Sequence, residues 1–412
     1  MEDPHRFVCY YENQAGGDLG GFYGDPCTLR ELDLFSAPMT QLSIKDKIYN
    51  EISPVSAITN TGPIKFFIPG DGEKYLDLND TLLHLRVKIT NADGTDLADG
   101  AATLLNFSRD TLESQFTAGL FYKDTSGSVD SITVVNGPNK GLNRRADFTS
   151  NSREVHLLGP LHTDIFFCER LLLNSIDLRV KLMCASNAFC LMGARDSGFR
   201  LNVLGASLFV KKTTVAPAVR LGHAAGLMKA NALYPLLRVI VKTYSVPANS
   251  RICNQENLFL RTTPKYVVLG MVHHEAFTGS RDLSPFNFVH NDVEYLALCQ
   301  NDRQIPSKAF QPQFNNRQSV REFYNTFMST GRHLKDLPLC INREDFNAGY
   351  ALFLFNLNPT DNDALSVVSN GNLRLEMRFR VPLPNITTLI VYTCYDSILE
   401  IDAKRQVLVD YY

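Results

Sequence analysis

His273-His274-Glu275 is the densest cluster of metal-capable side chains in this chain of 412 residues. Neighbouring side chains on a strand point to opposite faces, so two adjacent histidines there cannot chelate one ion. The sequence contains neither HExxH nor HxH, the spacings that bring imidazoles together. A solvated strand end is the expected reading, and the missing HxH speaks against a cupin-type metal enzyme built on a sandwich. Asp361-Asn362-Asp363 and Asp93-Gly94-Thr95-Asp96 place carboxylates in turns, but neither continues into a twelve-position calcium loop ending in Glu, so Asx-rich turns are expected. Gly16 to Gly24 misses the GxGxxG spacing, and Gly137-Pro138-Asn139-Lys140-Gly141 lacks the GxxxxGK order that cradles phosphate; both read as flexible loops. There is no GxSxG elbow. No catalytic, cofactor or metal residue is therefore assigned, and the chain is expected not to be an enzyme.

Basic residues pair at Arg144-Arg145 and Lys211-Lys212, where a solvated face is expected and phosphate or DNA contact is the functional alternative. Arg374, Arg378 and Arg380 share one face with Glu376. They suit either a charged edge that discourages sheet aggregation or a subunit contact made of ion pairs.

That face belongs to the most regular stretch of the sequence. From Leu373 to Val381 the residues alternate, with Leu373, Leu375, Met377, Phe379 and Val381 on one side and charge on the other, the period of a half-buried strand. Burying such side chains contributes about 1.5–3 kcal/mol each, against about 1–2 kcal/mol per residue to fix the backbone. The strand needs a facing sheet.

Similar strands are expected at Ile64–Ile68 and Tyr75–Ile89, flanking a turn at Pro69-Gly70-Asp71-Gly72. Others follow at 154 onward, 165–173, 176–183, 188–192 and 201–210, with Gly205 marking a bulge or close approach. A second series covers 236–246, 266–272, 293–299 turning at Asn301-Asp302, 350–357, 389–395 and a hairpin over 398–409. Short helices are expected from Ser108 to Leu120 and from a capping box at Ser319-Val320-Arg321-Glu322. In the latter, Val320, Phe323, Tyr324 and Phe327 form the apolar stripe and Gly331 the stop. One helix thus interrupts each series. Residues 123–152 read as a long surface loop, and Asn91 to Gly94 as a turn. Pro217 opens an Ala-rich helical connector. The implied organisation is a flexible N-terminal tail (1–35), a first domain (36–215), the connector (216–234) and a second domain (235–412), mainly β and of jelly-roll type.

With 41 Lys+Arg against 43 Asp+Glu the formal charge is -2, so no strong nucleic-acid binding and no attraction to an anionic membrane are expected. The 26 Phe and 16 Tyr without Trp lean towards sheet. Nine scattered cysteines without a CxxC pair read as reduced thiols. No signal peptide and no apolar run of about 18 residues is seen, so cytoplasm or nucleus, not secretion, is expected.

Several runs together resemble the capsid-like proteins of Maverick/Polinton elements and adintovirus-type viruses of animals. They are Glu31-Leu32-Asp33-Leu34-Phe35 with Pro38 and Thr40-Gln41, and Ile68-Pro69-Gly70-Asp71-Gly72-Glu73-Lys74-Tyr75-Leu76-Asp77-Leu78. Later ones are Asp164-Ile165-Phe166-Phe167 with Glu169-Arg170, Asn254-Gln255-Glu256-Asn257-Leu258-Phe259, Asn287-Phe288 before Tyr295-Leu296-Ala297-Leu298, and Leu399-Glu400-Ile401-Asp402. The resemblance implies a double jelly-roll major capsid subunit without cofactor, forming homotrimeric hexon-like capsomers in a virion lattice. A minor capsid protein, or a jelly-roll lectin or receptor-binding module, is the alternative. One departure stands out: the strand-rich stretch that the family carries between the Asp93-Gly94 turn and Leu105 is nearly absent, so the first jelly roll is expected to lack strands. A deleted or spliced-out segment and a domesticated relic that no longer assembles both remain open.

Overall fold

A computed structural model describes residues 41–59, 62–97, 102–104, 117–259, 262–301, 303–334, 340–358 and 371–409. The expected N-terminal tail (1–35), the Asp361–Asp363 turn and the start of the Ser108 helix lie outside these residues.

The strands of the first half are β1 (Ile44–Ile52), β2 (Ile64–Ile68), β3 (Lys74–Thr90), β4 (Ala102–Leu104), β5 (Val155–Pro160), β6 (Leu178–Leu182), β7 (Leu191–Gly193) and β8 (Arg200–Val215). Those of the second are β9 (Ala232–Val246), β10 (Ile252–Phe259), β11 (Tyr266–His273), β12 (Val293–Gln300), β13 (Arg303–Phe310), β14 (Leu352–Asn356), β15 (Leu373–Phe379), β16 (Thr387–Ile401) and β17 (Val407–Val409). In the second half β9-β16-β11-β14 form one antiparallel sheet, extended at one end of β16 by β17, and β10-β15-β12-β13 form the other. Counted from β9 as strand 1, the orders are 1-8-3-6 and 2-7-4-5, a jelly roll of two Greek keys.

The first half repeats the 1-8-3-6 sheet as β1-β8-β3-β5, but of its partner sheet only the 2-7 pair, β2-β6, is present among the described residues. β2 and β3 therefore lie in facing sheets and are not a hairpin. The short β4-β7 pair stands apart. Counterparts of strands 4 and 5 are missing from the described residues, and burial reflects it. Leu373, Leu375, Met377 and Phe379 on β15 are fully buried, whereas Leu178, Val180 and Leu182 on the equivalent β6 are only half-buried.

Two main cores result. One gathers Val267, Leu269, Leu296, Leu298, Leu375, Met377 and Val391; the other gathers Ile64, Phe66, Ile68, Leu76, Leu208 and Val210. The fifteen-residue strands β9 and β16 pair along their whole length and contribute to both, Leu389 and Val391 to the core around Val267 and Leu269, and Tyr234, Leu399 and Ile401 to the core around Ile64 and Phe66. Gly205 sits at a register break where Arg86 pairs with Gly205 and Val87 with Val203, leaving Leu204 as the extra residue of a bulge. A Cβ on Gly205 would meet Arg86 Nε at 2.7 Å.

Several expectations give way. Residues 123–152 are not all loop but contain α1 (Lys140–Thr149), capped by the Asn139 side chain and burying Leu142, Arg145 and Ala146. Its polar composition hides it from a periodicity reading. The segment 165–173 begins as a 3-10 turn, Asp164–Phe167, and meets the sheet through a single bridge, Leu172 to Leu76. Residues 188–192 open with the single-turn α2 (Asn187–Cys190) before β7. The Ala-rich connector forms α3 (Pro217–Leu227) but stops earlier than expected, and by Ala232 the chain is already in β9. Helices α4 (His274–Gly279), α5 (Val320–Ser329) and α6 (Arg343–Phe346) follow, so more than one helix interrupts each series. On α5 the capping box is not made: Ser319 caps no backbone N–H, and its Oγ donates to Asn347 Oδ1 at 2.6 Å. Its buried residues are Glu322, Thr326 and Ser329, while Val320 and Tyr324 from the expected stripe are about half exposed. β15 is an interior strand, not an edge, and Val381 lies beyond its end, exposed.

Candidate functional site: the junction of the two sandwiches

The residues singled out for metal chemistry do not converge. His273 closes β11, while His274 starts α4 with Nδ1 3.0 Å from Thr388 Oγ1, and Glu275 pairs with Arg195 at 2.8 Å. Asp93 accepts from Thr95 N (2.9 Å) and Oγ1 (2.6 Å), an Asx turn closed by Gly94 N–H on Asn91 O. These bonds from Thr95 hold Asp93 below the usual carboxylate range. Asp96 meets Lys88 at 2.7 Å. Among the described residues no group of three His, Cys, Asp or Glu could hold a metal ion. Seven described cysteines are free, and burial pushes the Cys190 and Cys394 thiols up to about 11, far from a reactive thiolate.

Most of the basic residues singled out are paired within the fold, Arg144 and Lys212 excepted. Lys211 pairs with Asp80, whose hydrogen bond raises its pKa. Arg374 meets Glu376 at 2.8 Å, Arg378 stacks on Tyr295, and Arg380 reaches Asp292 at 3.4 Å. Of the pair on α1, Arg144 is exposed but Arg145 is fully buried. Arg145 donates to Tyr122 O at 2.6 Å and Asp124 Oδ1 at 2.7 Å. A buried guanidinium is tolerable only with such partners.

This Arg145–Asp124 pair anchors a segment, residues 122–131, that docks on the second half. Tyr350 Oη donates to Asp124 O at 2.8 Å, and Gly127 N to Ala348 O at 2.9 Å. Asp130 accepts from Ser284 N at 2.7 Å and Asn287 Nδ2 at 2.5 Å. Lys123 and Ser126 both bond Asp345, which also caps α6 in a reciprocal box with Asn342. Burial opposes ionisation of Asp345, but the Asn342 N–H, Lys123 and Ser126 outweigh it and hold the carboxyl below its ordinary value. Burial, with Asp124 and Asp345 nearby, raises the Tyr350 phenol. Gly349, at φ 110°, approaches so closely that a Cβ would meet Val129 Cγ2 at 2.9 Å. Sequence reasoning missed this seam because its partners lie far apart in the chain.

Beside the seam lies a cleft of about 630 Å³ lined by Gly127, Asp130, Pro138, Asn287, His290 and Gly349, among others. His290 stacks on Phe314 with ring centroids 4.0 Å apart, and burial lowers its pKa. Its Nδ1 accepts the Asp292 N–H at 2.9 Å, so the proton of the neutral ring sits on Nε2. With Nδ1 taken by that N–H and Nε2 protonated, the neutral ring keeps no free lone pair for a serine proton, and Asp130 accepts from Ser284 N and Asn287 Nδ2. The lining residues include no Phe or Tyr on which a sugar could stack. What the junction does is fix two sandwiches in one geometry.

No family model matches the chain. A Caenorhabditis elegans protein, "Uncharacterized protein F54H12.2", is 24% identical over 342 residues, covering 80% of this chain and 78% of the relative. Among solved structures, a chain of the Sputnik virophage superposes with a TM-score of 0.58 at 12% identity, covering 94% of this chain and 93% of its own. The mavirus major capsid protein gives 0.52 at 10% identity with 96% of each chain covered. The Faustovirus major capsid protein gives 0.51 at 8% identity, covering 90% and 92%. At these identities the likeness is one of architecture, and together with the strand orders it establishes a mainly β double jelly-roll fold.

Proposed function

We propose that this chain is a structural capsid subunit, of the hexon-like major type, belonging to a Maverick/Polinton-type virus or element. The observation that carries the reading is that the likeness to major capsid chains spans both sandwiches and nearly the full length of each partner. The relative in a nematode and the quoted sequence runs support an element resident in animal genomes. A subunit of this kind works by shape and needs no catalytic centre. The rigid polar seam between its sandwiches suits that task, because lateral contacts made by both halves keep a fixed spacing only if the halves do not swivel. The working form is a homotrimer, in which each copy offers two different patches that close by threefold symmetry, and its place is the virion. The domain division near residues 216–234 belongs to the same proposal: each sandwich is one lobe of a pseudo-sixfold capsomer.

Mass photometry and negative-stain microscopy of the purified full chain test this. Trimers with a six-lobed outline are expected. A monomer that persists at high concentration overturns the capsid reading, and binding to a glycan array with no self-association would favour the lectin alternative.

A further inference from the structure

Two histidines that no sequence spacing links meet on the outer face of the first sandwich. On β3 and β5 the side chains of Val87, Val155 and Leu157 are buried, so the alternation turns His84, Arg86 and His156 outward. Arg86 lies directly opposite His156, and His84 opposite Leu158, which makes the two imidazoles diagonal neighbours across the strands. His84 Nε2 stands 3.0 Å from His156 Nδ1, with ring centroids 5.2 Å apart, and the His156 side chain is 60% exposed.

Two ring nitrogens share one proton in this contact. The other nitrogen of His156, Nε2, faces Glu154 Oε1 at 3.6 Å, which favours a proton on Nε2 and leaves Nδ1 with a lone pair. His84 Nε2–H then donates to it. Moving that proton to His84 Nδ1 gives two neutral imidazoles with lone pairs at one spot, and a carboxylate behind one of them is the arrangement that orients a metal-bound histidine and raises its basicity. Arg86 would repel a cation, but its charge is offset by the same Glu154, 3.3 Å away. The β8 bulge seats that arginine: Arg86 lies across Gly205, where a Cβ would come 2.7 Å from its Nε.

We propose that His84 and His156 form a two-histidine site for a divalent transition-metal ion, Zn²⁺ in the first place, with Glu154 orienting His156. A tetrahedral ion with Zn–N bonds of about 2.0–2.1 Å holds two nitrogens about 3.3–3.4 Å apart. That is slightly wider than the 3.0 Å between them here, and a turn of two surface rings supplies the difference. Imidazole nitrogen selects zinc over magnesium or calcium, which take oxygen ligands. Among the described residues no third His, Cys, Asp or Glu completes the shell, so water fills the remaining positions on the solvent side. The site stands apart from the capsid reading and does not rest on it.

Zinc chloride added to the purified full-length protein tests this, with diethyl pyrocarbonate modification of each histidine followed by peptide mass spectrometry. At zinc ten times its dissociation constant, modification of His84 and His156 should slow about tenfold by mass action, while His162, exposed elsewhere on the first half, keeps its rate. Magnesium chloride should protect neither. His84→Gln should abolish the protection of His156, and His156→Gln that of His84, a reciprocity that two independent surface histidines do not show. Glu154→Gln should raise the zinc concentration for half-protection about tenfold. No protection, protection of one histidine that survives loss of the other, equal protection of His162, or an unchanged midpoint in Glu154→Gln each overturns the proposal. X-ray absorption of the one-equivalent zinc complex gives the ligands directly: nitrogen and oxygen at about 2.0–2.1 Å are expected, and sulfur at about 2.3 Å, the mark of cysteine, overturns it.

Discussion

Replacing Arg145 by Met should unseat the segment that joins the two sandwiches. The guanidinium is fully buried, and its loss removes the bonds to Tyr122 O and Asp124 while leaving the Asp124 carboxylate, only 5% exposed, without its counter-charge. Breaking a buried pair by removing one partner costs about 3–5 kcal/mol, a large fraction of the roughly 5–15 kcal/mol that holds a typical domain folded. Arg144, its exposed neighbour, is the control: Arg144→Met should change stability by no more than about 0.5 kcal/mol. Urea unfolding followed by circular dichroism measures both. A double-mutant cycle sharpens the test, because Asp124→Leu alone strands the arginine, whereas Arg145→Met with Asp124→Leu leaves no buried charge and should cost less than the sum of the singles. Additive losses, or equal effects at 144 and 145, would refute the assignment of a buried anchoring pair.

Other outcomes follow from the same structure. Leu375→Asp places a charge on the inner face of an interior strand and should cost on the order of 3 kcal/mol or more; Arg374→Ser, on the outer face, should cost far less, as denaturant midpoints will show. Because the Asp345 carboxyl is held below its unfolded value, its contribution is present above about pH 4 and lost as pH falls through the lower folded value. Asp345→Asn should therefore flatten the acid limb of a stability–pH curve. Glu322 has the opposite sign: burial raises its pKa, so its stabilising effect is complete below the unfolded value and disappears as pH rises through the folded one. Glu322→Gln should accordingly stabilise the protein at neutral pH and change little near pH 3, measured by thermal melts at the two pH values. Gly349→Val should destabilise the junction through both its positive φ and the contact with Val129, and proteolysis within residues 122–131 should accelerate.

Much of the sheet framework was legible in the sequence because its signal is local. β2 and β11 fall where alternation places them, and β15 was read down to the inward set Leu373, Leu375, Met377 and Phe379. The expectation of a shortened first sandwich came from a departure from a family pattern, and the residues it concerns lie largely outside those the structure describes. What escaped was non-local. Arg145 looks like a solvated charge until Asp124 and Tyr122 are brought around it by the fold, and no spacing rule links position 124 to 350 or 126 to 345. The α5 reading failed for a related reason. A capping box and an apolar stripe were present as residue types, but Asn347 captured the capping hydroxyl and Glu322 was drawn to the buried side.

The long β9–β16 ladder has a mechanical meaning. A hydrogen-bonded ribbon of fifteen paired residues that enters both cores acts as a spar running through the protein. Bending it anywhere along its length would break ladder bonds and open a core at once. On the proposed capsid reading, a shell tiled with such pieces would take up curvature at the seams between tiles, where contacts can slide, while each tile kept its shape from flat facet to vertex.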